Sequence, residues 1–406
     1  MQTAPGFHEA RKLRTEVIEP LSRRFAGREE LIELCALVLS ASENLLIVGP
    51  PGTAKSQVVS EMASRITGRY FEYLLTRFTE PSEVFGPVDI RELREGRLVT
   101  RTEGMLPDAE IAFLDEVFNA GSAILNSLLG IINDGVFRRG SAVRKTDLIS
   151  VLGATNRIPD EPSLSALEDR FTLRVECPLL EAGELSSLLD RGWRIEEERL
   201  RGEHAPGGST FSTADLRRIH GAVAGVDLAA VKGRLVDLIT RIRAAGVFVS
   251  DRRAVKLQRL VAASAVLSGR QHAATSDLWP ARHLWDAGEE KDILEEIVGE
   301  TLASAQAAGD GGSTAEGAME HPLAAGRGRP ADLLEKARRI EAEIERLGTT
   351  PPLLAADEIH NRLQDIDAER RWCRARNPRE EDELRELGVR LDSIAALLAR
   401  RDEGAT

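Results

Sequence analysis

The stretch "NLLIVGPPGTAKSQVVSEMASRI", Asn44 to Ile66, decides the fold. Its first part is a short apolar run between Asn44 and Gly49, which reads as a buried strand. "GPPGTAKS", Gly49 to Ser56, follows as a glycine-containing turn, and "KSQVVSEMASRI" has helical character. Strand, loop and helix in this order form the context of a phosphate-binding loop of pattern G-x-x-x-x-G-K-S/T. Backbone N–H groups at the start of such a helix make an anion nest for phosphates. Gly49, Pro50, Pro51, Gly52, Thr53, Ala54, Lys55 and Ser56 are the candidate nucleotide-binding residues. Lys55 would reach the β- and γ-phosphates, and the Ser56 hydroxyl would ligate Mg²⁺. Ala54 stands where the pattern has glycine. Its methyl is tolerable if its φ is negative, as at the start of a helix.

The apolar run "IAFLDE" ends in two acids about 60 residues later. Asp115 can hold Mg²⁺ through water, and Glu116 can activate the attacking water. "ISVLGATN" is a further strand that ends at Asn156, placed to hydrogen-bond the γ-phosphate or that water. "EDRF" then brings Arg170, whose position suits an arginine finger offered to a neighbouring subunit. "FTLRVECPLL" reads as a fourth strand. Strands alternating with helical segments predict an α/β fold with a parallel sheet and crossover helices.

Beyond residue 179 helical patterns take over. "SDRR", Ser250 to Arg253, opens one of these helices. Arg252 could reach the γ-phosphate from this second domain, with Arg253 as its competitor. Residues 304–329 are rich in Gly, Ala and Ser and read as a flexible linker. Then Leu333, Ala337, Ile340, Ile344 and Leu347 step by four and three, as do Leu384, Leu387, Leu391, Ile394 and Leu398, with a shorter stripe at Ile359, Leu363 and Ile366. These stripes predict a helical, coiled-coil-like tail. The expected division is 1–178, 179–303, 304–329 and 330–406.

Composition narrows the function. A chain of 406 residues holds two or three domains at about 150 residues each. With 4% aromatic residues the core must be mainly aliphatic. A net charge of −12 argues against a uniformly basic nucleic-acid surface. The three cysteines, Cys35, Cys177 and Cys373, have no metal-ligand spacing and do not make a disulfide framework. No basic segment leads into an apolar signal, and no apolar run reaches about 18 residues. A cytoplasmic, soluble protein without membrane insertion is expected.

Taken together, these motifs resemble an AAA+ ATPase of the MoxR family, closest to its RavA-type branch. The shared text includes "GPPGTAKS", "LLTRFTEPSEVFGPVDI", "EGMLPDAEIAFLDEVFNAGSAILNSLLGIINDGVFRRG", "GATNRIPD" and "LEDRF", within residues 20 to 300. Proteins of that branch commonly carry Ala before the loop lysine. The resemblance implies ATP and Mg²⁺ as ligands, with Asn156 as sensor 1, Arg170 as the finger and Arg252 as the best match to sensor 2. It implies a helical lid domain, a helix-2 insertion from about Tyr70 to Leu106, and a hairpin in "NDGVFRRGSAVRKTDLI" before sensor 1. It also implies a homo-hexameric ring, a partner with a von Willebrand factor A domain, and chaperone-like remodelling of a protein client. Phe78 and Phe85, and the basic cluster Arg138, Arg139, Arg144 and Lys145, are candidates to touch that client. The best-known RavA-type proteins carry a β-containing domain after the motor, whereas this tail shows only helical stripes. A nucleic-acid motor and a nucleotide-gated scaffold are the alternatives. Net acidity weighs against the first, and the intact Glu116 and Arg170 against the second.

Overall fold

The computed structural model describes residues 6–139, 142–159, 161, 164–180, 184–202 and 209–307, then 321, 323 and a set of positions between 333 and 394. The chain divides into two compact units, Met1–Ala324 and Ala325–Thr406.

The first unit opens with helices α1 (Phe7–Leu13) and α2 (Glu19–Arg24), joined by a π-helical turn at Arg14–Ile18. Helix α3 (Glu29–Ala41) follows, buried from Leu31 to Ala41. Apart from Glu33, which pairs with Arg14, this stretch is apolar on nearly every side, the pattern of a helix enclosed by protein. It packs between the sheet and the later helices. Strand β1 (Leu45–Val48) leads through the glycine loop into α4 (Lys55–Ser64).

Strand β2 (Tyr70–Leu74) comes next, so the stretch read as an insertion from Tyr70 begins with a strand of the sheet. Only two short helices, α5 (Pro81–Phe85) and α6 (Ile90–Arg94), and a 3₁₀ turn at Leu106–Asp108 lie between it and β3 (Ile111–Asp115). A 3₁₀ turn at Val117–Asn119 leads to α7 (Ser122–Asp134). The antiparallel hairpin β4 (Val136–Arg139) and β5 (Ala142–Lys145) precedes β6 (Ser150–Thr155). Helix α8 (Ser165–Glu168) and β7 (Leu173–Glu176) complete the α/β part.

The other five strands run parallel in one sheet, in the order β2-β3-β6-β1-β7. Strands β3 and β6 are apolar on both faces, as strands covered by helices on both sides must be. In such sheets ligands bind at the carboxyl ends of the strands, where the chain switches direction across the sheet. Here that edge carries the ends of β3, β6 and β1 side by side.

Helices α9 (Leu185–Leu200), α10 (Thr213–Ala224), α11 (Ala229–Ala244), α12 (Asp251–Leu267) and α13 (Glu290–Ala307), with a 3₁₀ stretch at Thr275–His283, form the helical part. Ser212 and Ser250 cap α10 and α12 by accepting from Asp215 N and Arg253 N. Two buried arginines tie this part to the sheet. Arg174 of β7 donates to Trp285 O at 2.9 Å, and Arg253 of α12 donates to Leu284 O at 2.6 Å. Both guanidiniums pair with the one carboxylate of Asp286. Burial and the nearby Arg253 charge pull Arg174 down to about 10.

Most of the linker expected over 304–329 lies outside the described residues. Its two described inner positions are packed rather than loose. His321 is buried, stacked on Trp279 at 4.6 Å and facing Glu33 at 3.4 Å, and Leu323 O accepts from Arg282. Burial pushes His321 down to about 4.

In the second unit Leu333, Leu334, Ala337, Ile340, Ile359, Ile366, Leu387, Leu391 and Ile394 form one apolar cluster. Arg390 pairs with Glu341 and Arg338 with Glu386, joining the first and last stripes. The expected stripe positions Ile344, Leu347, Leu363, Leu384 and Leu398, and Cys373, lie outside the described residues. No helix among the described residues is long and apolar enough to cross a membrane.

Candidate nucleotide site

The loop from Gly49 to Ser56 wraps the end of β1, and each position has a separate physical reason. A Cβ on Gly49 would lie 2.2 Å from Cys177 O, so only glycine fits. Gly52 has φ +82 with open space around it; there the backbone conformation asks for glycine. Pro50 and Pro51 are exposed, while Thr53 is buried and donates to Pro50 O at 2.9 Å. Ala54 departs from expectation. Its φ is +63 rather than negative, because the turn into α4 closes through a left-handed residue. That is why the general pattern has glycine here, and the methyl costs about 1 kcal/mol. Gly49→Ala is expected to destabilise the fold by about 1–3 kcal/mol through overpacking, read as a lowered melting temperature.

Lys55 is buried and donates to Gly49 O at 2.6 Å and Pro50 O at 2.9 Å. The ammonium is therefore held against the loop that would carry the phosphates. Ser56 Oγ, at the start of α4 after β1, donates to Asp115 Oδ2 at the end of β3 at 3.0 Å, although β6 separates the two strands. A hydroxyl and a carboxylate are the hard oxygen donors that suit Mg²⁺. Among the described residues no cluster of three or more acidic, His or Cys side chains converges.

Glu116 has φ 51, a strained conformation for a residue with a side chain. Its carboxylate is held from both sides. Asn156, at the end of β6, donates to Oε1, and Asn119 donates to Oε2 at 3.3 Å. Phosphate loop, Ser56–Asp115 pair and Glu116–Asn156 pair thus share the carboxyl edge of the sheet.

The arginines lie elsewhere. Arg170 precedes β7, and its carbonyl accepts from Asn44 Nδ2 at 3.1 Å at the start of β1. It sits at the amino edge of the sheet, a strand length of about 13 Å from the loop side. Its Nε is buried without a hydrogen-bond partner among the described residues. Arg252 stands beside it, half exposed, 3.6 Å from Asp169. Arg252, expected to reach the γ-phosphate from the second domain, is placed with the helix it opens on the amino edge of the sheet, opposite the loop. Arg253, its competitor, is 1% exposed and engaged by its two terminal nitrogens in the junction with Asp286 and Leu284 O.

Two residues escaped the sequence. Arg28 donates to Thr53 O, Gly27 O and Pro178 O at 2.9, 2.7 and 2.9 Å, binding the loop to the segment after β7. Asn119 is the other. No local pattern marks either. Cys177 adds a contact to Thr53 O at 3.4 Å, and burial pushes its thiol up.

Of the candidate client contacts, Phe78 is 92% exposed on a turn tied by Thr76 and Thr79, whereas Phe85 is core, stacked on Phe137 at 5.4 Å. Arg139 and Arg144 are consumed internally, by Gly86 O and by Asp108, leaving Arg138 and Lys145 exposed.

Residues 11–217 match the family described as the MoxR domain of the MoxR-vWA-beta-propeller ternary systems, and residues 231–298 match an AAA lid domain. Two uncharacterized proteins of Methanocaldococcus jannaschii are each 38% identical, over 294 and 278 residues, covering 72% and 68% of this chain and 74% and 72% of theirs. A structural protein of Acidianus two-tailed virus is 30% identical over 165 residues, 39% of this chain and 27% of its own. The solved structure of a proposed ATPase from Cytophaga hutchinsonii aligns with a TM-score of 0.59 at 18% identity, covering 73% of this chain and 95% of that one. At that identity the likeness speaks for the fold alone.

Proposed function

Because this chain belongs to the MoxR family of AAA+ ATPases, we propose that it hydrolyses ATP with Mg²⁺ at sites shared between the subunits of a homo-hexameric ring. One observation carries this reading: phosphate loop, metal pair and base occupy one edge of the sheet, and Arg170, whose Nε has no partner among the described residues, the other. A complete site then needs an arginine from a second copy.

In this reading the backbone of Gly49 to Ser56 and the Lys55 ammonium hold the phosphates. Ser56 and Asp115 hold Mg²⁺, which supplies charge neutralisation on the phosphate oxygens. Asn156 positions Glu116. The water oxygen attacks the γ-phosphorus, the bond to the β–γ bridging oxygen breaks, and the water proton passes to Glu116. Arg170 of the neighbour, with Arg252 beside it, meets the charge that develops on the γ-phosphoryl oxygens. The products are ADP and inorganic phosphate.

The work done with this energy is chaperone-like remodelling or assembly of a protein client in the cytoplasm, within the RavA-type branch. A von Willebrand factor A domain partner is supported by the description of the matched family. Phe78 is the side chain best placed to touch a client. A nucleic-acid track is disfavoured, since two of the four hairpin cations are already neutralised or bonded within the chain.

Lys55→Ala tests the loop. It is expected to weaken ATP binding by about 10²-fold or more, because a charge-assisted contact to phosphate is lost. Unchanged affinity in a calorimetric titration overturns the assignment.

A further inference from the structure

Helix α9 is inside out. Not one of its sixteen residues is buried. Its inward stripe, at Glu184, Ser187, Arg191, Ile195 and Glu198, is polar at every position but Ile195. Arg191 donates to Ser22 O at 2.9 Å, and Glu198 pairs with Arg24 at 2.6 Å, which also holds Glu61 of α4. Leu185, Leu188, Leu189, Trp193 and Leu200 point outward, with Leu189 71% and Trp193 60% exposed. They fall at the i, i+3, i+4 spacing that normally faces a core. A stripe of this size on a surface marks an interaction site.

A second apolar patch lies beside the arginines. Phe248 is 66% exposed although both its neighbours, Val247 and Val249, are buried. Val255 is 65% exposed one turn after Arg252, on the same face of α12. Ser250, between them, donates to Asp169 Oδ1 at 2.8 Å, next to Arg170. This patch is thus locked to the amino-edge arginines. The α9 stripe starts on the loop side instead: Glu184, just before α9, comes within 3.3 Å of where a Cβ on Gly27 would lie, and the adjoining Arg28 donates to Thr53 O and Pro178 O.

We propose that the outward stripe of α9 on one copy docks on the Phe248–Val255 patch of the next, and that this contact seats Arg170 on the neighbouring phosphate loop. The inference rests on the shared-site reading above. The occupant is a second copy because the two patches flank the two halves of one incomplete site, on opposite edges of the same sheet. Joining them head to tail generates a ring if the rotation closes.

The test uses the full chain with ATP, Mg²⁺ and the separate variants Trp193→Asp and Phe248→Asp. The unmodified chain should sediment as an assembly. Each variant alone should sediment at 44.4 kDa, retain nucleotide binding, which reports that it is folded, and lose ATPase activity. Mixing the variants should give a species of twice that mass and restore part of the activity, since each pair then has one intact junction. Assembly of either single variant like the unmodified chain overturns the docking surface while leaving the ring standing. Absence of the paired species on mixing also overturns it. If the unmodified chain itself stays at 44.4 kDa at all concentrations, the ring reading fails and takes this surface with it.

Discussion

Arg170→Ala is expected to bind ATP as well as the unmodified chain and to hydrolyse it about 10³- to 10⁵-fold more slowly. The guanidinium meets charge that appears only as the γ-phosphoryl group transfers, so its loss falls on turnover and not on the ground state. Arg170 lies on the amino edge of the sheet while Lys55 and Glu116 are on the carboxyl edge, which is the arrangement a finger acting in trans requires. Complementation follows. Mixed with Lys55→Ala, the Arg170→Ala chain should regain activity, because its intact loop meets the intact arginine of its neighbour. Steady-state ATPase assays on the two variants, apart and after subunit exchange, decide the matter. No recovery, together with activity per chain that is independent of concentration, would falsify the trans assignment.

Glu116→Gln should retain ATP and lose about 10²- to 10⁴-fold in turnover, the usual contribution of a positioned base. The replacement is close in size, so the strained backbone at this position is asked to hold nothing larger. It keeps one oxygen for Asn156 or Asn119 but turns an N–H₂ toward the other amide, so one of the two positioning bonds is lost as well. Single-turnover measurements separate the steps. A hydrolysis rate equal to that of the unmodified chain would assign the base to another residue.

What could be read in advance follows from how local the chemistry is. A phosphate loop must be contiguous, so Gly49 to Ser56 announces itself, and the acids of β3 and Asn156 of β6 end apolar runs that are legible as strands. Edge strand β2 was hidden because "YFEYL" mixes apolar and polar residues, one face of it being solvated. Arg28 and Asn119 were hidden because their partners are backbone carbonyls and a carboxylate brought to them by tertiary structure. Phe85 and Phe78 look alike in sequence, and only the hairpin residue Phe137 makes the first a core residue. Arg252 and Arg253 are neighbours in sequence, and only one step of the helix sends the second into the junction.

That junction constrains how sequences of this kind can drift. Arg174 and Arg253 share Asp286, and neither guanidinium has access to water. Replacing the aspartate alone strands two buried cations, and removing one partner of a buried ionic group costs about 3–5 kcal/mol, a large share of the 5–15 kcal/mol that holds a domain together. Replacing all three by apolar residues of matching volume carries no such penalty. The three positions are therefore one heritable unit. In a lineage they should persist together or be exchanged together, and intermediates with a single change should be rare.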